Sequence, residues 1–242
     1  MAIEEDVIVI GGGLAGSIAA LEAADGEATV RLITHKKSTL RHASGLIDVL
    51  GYLDAEEPVA DPFAASSELP DEHPYSIAGE TAIRDGLARF DTAVGDMYQG
   101  SHTDANALLP TFGGAVKPTA RYPTAAAAGL ASDSREMLVV GFEELTEYNA
   151  SMLADHLERA DVPFEADGVE LNFPGEYAND SRVTRFAKRL DKPEDVEHDG
   201  RTMGAREALA DAIKPHLGDA ERVGLPAFLG DHHAAEVRGA LE

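Results

Sequence analysis

The sequence has 242 residues, 44% hydrophobic and 26% charged, which allows one large domain or two small ones with a real core. Asp and Glu number 44 against 20 Lys and Arg, a formal charge of −24, and this opposes nucleic acid and anionic lipid surfaces. With no cysteine the chain has no disulfides, thiolate nucleophiles or Cys-bound zinc or iron–sulfur centres, and no apolar run of about 18 residues offers a membrane span.

In chain order, residues 6–10 (DVIVI) form a short continuous apolar run, the pattern of a strand buried on both faces. The run leads into Gly11, Gly12, Gly13, Leu14, Ala15 and Gly16, then a small-residue helix to about Ala24 that Asp25 and Gly26 stop. Residues 29–34 read as a second strand. The stretch 54–76, rich in Pro, Asp, Glu and Ser, reads as a loop or linker. From about Glu80 the three- and four-residue steps of Ile83, Leu87, Phe90, Val94 and Met97 predict a helix. Gly113-Gly114, Pro118 and Pro123 suggest a hairpin over 108–129 with an alanine-rich connection.

Residues 137–142 are another apolar strand, followed by a helix over about 144–160 and a strand near 164–171. Val183, Phe186, Ala187 and Leu190 mark a helix capped by Asn179, Asp180 or Ser181. A helix near 204–214, a strand near 222–229 and a last helix from Asp231 complete the chain. This alternation predicts an α/β protein: a Rossmann-like FAD/NAD(P)-binding βαβ unit followed by a second α/β region serving as substrate or cap domain. The expected division is a nucleotide-binding portion over 1–55, a linker over 56–79 and the second region over 80–242. Acidic residues are dispersed rather than gathered in a tail, and only six of the cations are Lys, as expected of a protein adapted to high salt. The start carries acids where a signal peptide carries cations, so a cytoplasmic location is expected.

Gly11, Gly13 and Gly16 give G-x-G-x-x-G between a strand and a helix. The first glycine permits the tight turn, the second lets a phosphate approach the backbone, and the third lets helix and strand pack closely. The helix start offers unpaired N–H groups to that phosphate. Gly11, Gly12, Gly13, Leu14, Ala15 and Gly16 are therefore cofactor-binding candidates, the bland alternative being a tight turn without a ligand. The acidic residue that usually follows about 20 positions on, to hold a ribose, is replaced by Thr34, His35, Lys36 and Lys37. A soluble NAD enzyme of the usual kind is thereby disfavoured.

Residues 39–50 (TLRHASGLIDVL) follow the second strand, and their Ser44-Gly45 looks like the segment that flavoproteins run past the cofactor. The stretch resembles the B subunit family of the anaerobic, quinone-linked glycerol-3-phosphate dehydrogenase, which has an S-G-x-x-D-x-L run at this point. The likeness continues through 58–61, 73–76, 139–142, 185–191 and 226–230. It implies a flavin-bearing component, with Ser44 and Gly45 added to the cofactor-binding set. It also implies a catalytic partner, the enzyme's A subunit, which bears FAD, and together they would oxidise sn-glycerol 3-phosphate to dihydroxyacetone phosphate. Electrons would pass through a membrane-associated iron–sulfur subunit to quinone, placing the protein peripherally at the inner face of the cell membrane. The family is described with FMN in its B subunit; FMN, which lacks adenosine, suits the missing ribose acid, and FMN and FAD both stay open. Flavoproteins of this architecture close the nucleotide domain with a late Gly-rich segment. Only residues 231–242 follow Gly230, so the sequence is expected to be the N-terminal portion of a halophilic archaeal member.

For chemistry, Arg41 and His42 beside Ser44-Gly45 are candidates to reach flavin or substrate, against the alternative of a surface loop. His73 is a weaker one. Lys117 and Arg121 are candidates for the substrate phosphate, against a solvated loop pair. Asp231-His232-His233 reads as a helix start rather than a metal cluster, because adjacent helical histidines point about 100° apart. The rival to an enzyme component is a non-catalytic flavin- or nucleotide-binding subunit or fragment that docks to a catalytic flavoprotein. Another flavin-dependent dehydrogenase with a different substrate is a third reading.

Overall fold

The computed structural model describes residues 4–35, 44–54, 57–175, 177, 180–192, 194–228 and 239. Contacts divide the chain into two compact units, Met1–Ala107 with Pro118–Thr124 and Leu108–Lys117 with Ala125–Glu242.

In the first unit, β1 (Val7–Ile10), α1 (Leu14–Asp25) and β2 (Val30–Ile33) follow one another, and the strands pair in parallel with Val7 opposite Val30. Parallel neighbours need a crossover, which the helix supplies. Asp6 and Thr29 tie the two strand starts: Thr29 N and Oγ1 both donate to Asp6 Oδ2, at 2.9 and 2.7 Å. Those hydrogen bonds hold the Asp6 carboxyl below its ordinary range. The expected burial of β1 on both faces is corrected, since Ile8 is 57% and Ile10 84% exposed. The cause is topological: among the described residues β1 pairs with β2 alone, and only Val7 and Val9 are half-covered.

The stretch read as a linker carries two short helices, α2 (Pro62–Ala65) and α3 (Pro74–Ala78). Each has Pro in its first turn and a capping side chain before it. Asp61 accepts from Phe63 N and Ala64 N (2.9 and 3.0 Å), and His73 Nδ1 accepts from Tyr75 N (3.1 Å). Helix α4 (Glu80–Val94) buries Leu87 and Phe90, as the spacing predicts. It belongs to the first unit, where Arg89 forms ion pairs with Glu22 and Asp25 of α1 at 3.2 and 2.5 Å, so the compact units do not follow the 1–55, 56–79 and 80–242 segmentation. Next come β3 (Tyr98–Gln99), the paired β4 (Ala107–Pro110) and β5 (Val116–Thr119), and β6 (Tyr122–Pro123), which lies antiparallel to β3.

The second unit is built on β7 (Met137–Phe142), α5 (Ala150–Arg159) and β8 (Ala166–Leu171). Then follow α6 (Val183–Asp191), a hairpin of β9 (Asp195–His198) and β10 (Arg201–Gly204), α7 (Ala205–Ile213) and β11 (Arg222–Gly224). Strands β8 and β11 flank β7 in parallel, giving the order β11-β7-β8. All six residues of β7 are buried, and the rings of Phe173, Phe186 and Phe228 lie 5.1, 5.9 and 5.6 Å from Phe142. Arg222 is buried over the Phe164 ring at 4.3 Å and donates to the carbonyls of Ala128, Leu130, Asp133 and Arg135. The cap of α6 is Arg182, with no side-chain hydrogen bond, rather than Asp180 or Ser181; Asn179 lies outside the described residues. Strand β11 stops short of the expected 229, and Pro226 has no N–H to continue a ladder. The last helix, expected from Asp231, falls almost wholly outside the described residues.

Candidate functional site

The glycine turn is built as the spacing requires. Gly11 sits at φ +118°, a conformation that side chains rarely adopt, and its N–H donates to the Ile33 carbonyl at 2.8 Å, joining the end of β1 to the end of β2. A Cβ at Gly16 would land on the Gly11 carbonyl oxygen and 3.5 Å from Val9 Cγ1. Helix α1 thus comes down directly on β1 and its turn. A Cβ at Gly12 would meet Thr34 Cβ at 3.1 Å, so the end of β2 closes the other side.

Gly13 caps α1 from an extended conformation and offers no side-chain acceptor, and the first turn contains no acidic residue. The first orderly helical bond runs from Ser17 N to Gly13 O at 2.9 Å. The amides of Leu14, Ala15 and Gly16 thus head the helix without a side-chain cap, at the positive end of its dipole. Such a cradle, crowded where a Cβ would intrude and free of competing carboxylate, fits a phosphate.

Ser44 and Gly45 lie in a loop fixed by residues from later in the chain. Ser44 Oγ accepts from Leu46 N at 3.3 Å, and Gly45 has φ +80° with Pro123 Cγ 3.2 Å and Tyr98 Oη 3.6 Å from where its Cβ would stand. Burial raises the Tyr98 hydroxyl above its ordinary value, so it stays protonated. Ile47 then forms an antiparallel bridge with Arg121.

Arg121 does not point toward a substrate phosphate. It is 7% exposed; Nε and Nη2 donate to Asp91 Oδ1 and Oδ2 at 2.8 and 3.0 Å, and Nη1 donates to the carbonyls of Gly100 and Ala120 at 3.0 and 2.9 Å. A guanidinium so engaged serves the interior, which corrects the phosphate expectation. Its partner Asp91 is thirty positions away, and no local pattern links the two. Lys117 is half-buried on β5 and has partners of its own. His73 caps α3. Arg41, His42, Lys36, Lys37 and Asp231-His232-His233 lie outside the described residues. Among the described residues no helix is long and apolar enough to cross a membrane.

Comparison with known proteins gives a match to the FAD binding domain family over residues 6–242. It supports FAD as the cofactor and the Rossmann-like α/β fold. A protein of Halobacterium salinarum named as a probable B subunit of anaerobic glycerol-3-phosphate dehydrogenase is 55% identical over all of this chain and 56% of its own length. The B subunits of that enzyme from Yersinia pestis and Vibrio cholerae are each 30% identical, over 93% and 98% of this chain and 54% and 55% of theirs. The chain therefore spans about half the length of the curated relatives it matches. The salt-adapted composition accords with the Halobacterium likeness. No solved structure matches the chain.

Proposed function

Because the chain belongs to the FAD binding domain family, we propose that Gly11–Gly16 and the start of α1 hold the phosphates of FAD in the B subunit of an anaerobic glycerol-3-phosphate dehydrogenase. The observation that carries this reading is the α1 start, where Gly13 presents uncapped amides beside a turn that admits no side chain at Gly16. The amides of Leu14, Ala15 and Gly16 bind and orient the phosphates, and the absence of acids in the first turn avoids repulsion. Ser44 and Gly45 supply a second backbone contact from the loop after β2. Bound FAD supplies a two-electron acceptor for the hydride of a secondary alcohol.

In the full reading, the protein works with an FAD-bearing catalytic partner to convert sn-glycerol 3-phosphate to dihydroxyacetone phosphate. Electrons leave through a membrane-associated iron–sulfur subunit to quinone, and the protein sits at the inner face of the membrane through these partners. The test is mass spectrometry of cofactor released from the purified protein, with glycerol 3-phosphate then added to the assembled complex. FAD in the released fraction and bleaching of the flavin band by glycerol 3-phosphate are expected. A colourless protein that takes up no added FAD defeats the reading.

A second reading, a non-catalytic βαβ unit that docks to a catalytic flavoprotein, is favoured by the exposure of Ile8 and Ile10. Turnover by the chain without its FAD-bearing partner rejects it.

A further inference from the structure

The segment that carries Ser44 and Gly45 has almost no structure of its own, yet its backbone is held at several points. Ile47 N donates to Arg121 O at 2.8 Å, and Ala120 N and Arg121 N both reach Ile47 O at 3.0 Å. The fully buried Thr119 places its hydroxyl between Ile47 O and Arg121 O, at 3.1 and 3.0 Å. Pro123 packs on Gly45, Pro118 on Gly51, and Asn106 Nδ2 donates to the carbonyls of Leu50 and Val59 at 2.9 and 2.8 Å. Every one of these supports comes from residues 98–123.

One part of that support, residues 119–121, is tied down by a single side chain. Residues 119–121 make an irregular turn whose carbonyls would be costly to leave unpaired. The Arg121 guanidinium ties the turn to α4 through Asp91 in a two-point salt bridge and to the Gly100 carbonyl. Gly100 is at φ +105°, and a Cβ there would strike the Ala120 carbonyl oxygen, so the two backbones are in close contact.

We propose that Arg121 is a positioning residue for the cofactor loop: its ion pair with Asp91 fixes residues 119–121, which in turn fix Ser44–Ile47 in the geometry that receives the flavin. The proposal rests on the flavin reading above. Its own content, that an interior guanidinium sets the loop geometry, is independent of whether the ligand is FAD. A supporting shell of this kind decides binding because small displacements of a contact group are costly.

The experiment compares Arg121→Leu, Arg121→Lys and Asp91→Asn with the unaltered protein. Amide hydrogen exchange is measured at Ile47, Ala120 and Arg121, and FAD affinity by flavin fluorescence titration. Protection of the Leu87 and Phe90 amides of α4, in the same compact unit, certifies that a variant remains folded; if Arg121→Leu fails that criterion, Asp91→Asn, which keeps size and an acceptor, takes its place. Expected are exchange at Ile47 and Ala120 faster by about a hundredfold, and FAD bound about tenfold or more weakly per folded molecule. Arg121→Lys should recover part of both, since it keeps the charge and a donor nitrogen but not the planar two-point fork. A purely stabilising role lowers the unfolding midpoint without changing FAD affinity of the folded protein, and that result overturns the positioning role. Unchanged exchange at Ile47 overturns it too, whatever FAD does. Faster exchange in the variants of a protein that never binds FAD upholds the clamp and sinks the flavin reading instead.

Discussion

In β1–α1–β2 the helix begins at a glycine with no side chain on its amides. In β7–α5–β8 two of the three equivalent amides are already taken: Asn149 Oδ1 accepts from Met152 N at 2.7 Å, and Glu170 Oε1 accepts from Ala150 N at 2.6 Å. Gly141, opposite Glu170 on β7, leaves the room that this carboxylate fills. Both units need a close helix–strand approach. The first puts the permissive glycine on the helix, at Gly16; the second puts it on the strand, at Gly168, where a Cβ would stand 2.5 Å from Ser151 N. Burial differs as well, since β7 is buried throughout and β1 has no fully buried residue. A helix start satisfied by its own carboxylate has become part of a core, whereas one left bare is suited to an external anion.

The largest expected effect breaks the first unit alone. Gly16→Ala drives a methyl into the Gly11 carbonyl, and FAD affinity is expected to fall by about a hundredfold or more, while the β7 amides keep their protection. A dissociation constant within about threefold of the original would show that the turn is not the phosphate cradle. Leu157→Ala does the reverse. Leu157 is fully buried on α5, so urea denaturation should register a loss of about 2–5 kcal/mol, with FAD affinity at native conditions unchanged.

Making the first unit resemble the second sharpens the contrast. Gly13 has φ −81°, open to any residue, and Gly13→Asp gives α1 a carboxylate on its own amides. FAD should bind about tenfold more weakly, while the protein without ligand gains a few tenths of a kcal/mol in stability. Equal or tighter FAD binding contradicts an anion site there.

The smallest effect concerns pH. Burial raises the Glu170 carboxyl above its ordinary 4.5, so the folded state prefers the protonated form and the associated stability is lost as pH rises through that raised value. Glu170→Gln accepts the same amide without charge. Its melting temperature should match the original below about pH 4.5 and exceed it progressively above. A variant less stable at neutral pH would instead mean that the helix-dipole attraction outweighs desolvation.

The glycine turn and the apolar β7 run were legible in the sequence because their determinants are local: glycines at fixed offsets, and an unbroken hydrophobic strand. The hairpin of β9 and β10 escaped, although Asp199-Gly200, both at positive φ, carries the signal of a two-residue turn. Its strands are polar apart from Val196 and Met203, so hydrophobic alternation was too sparse to register. The short helices after Asp61 and His73 hid in a Pro-rich stretch whose prolines start helices rather than break them. Arg121 illustrates a deeper limit. Nothing in Lys117-Pro118-Thr119-Ala120-Arg121 tells a solvated or phosphate-binding cation from one enclosed by Asp91, because that distinction is made only when α4 and residues 119–121 pack together.

The most direct measurement is an FAD titration of the isotopically labelled protein, following backbone amide resonances at both helix starts. Saturable shifts at Leu14, Ala15 and Gly16, with Ala150, Ser151 and Met152 unmoved, are the predicted result. Shifts at neither start, or at both alike, would contradict the assignment of the phosphates to the uncapped end of α1.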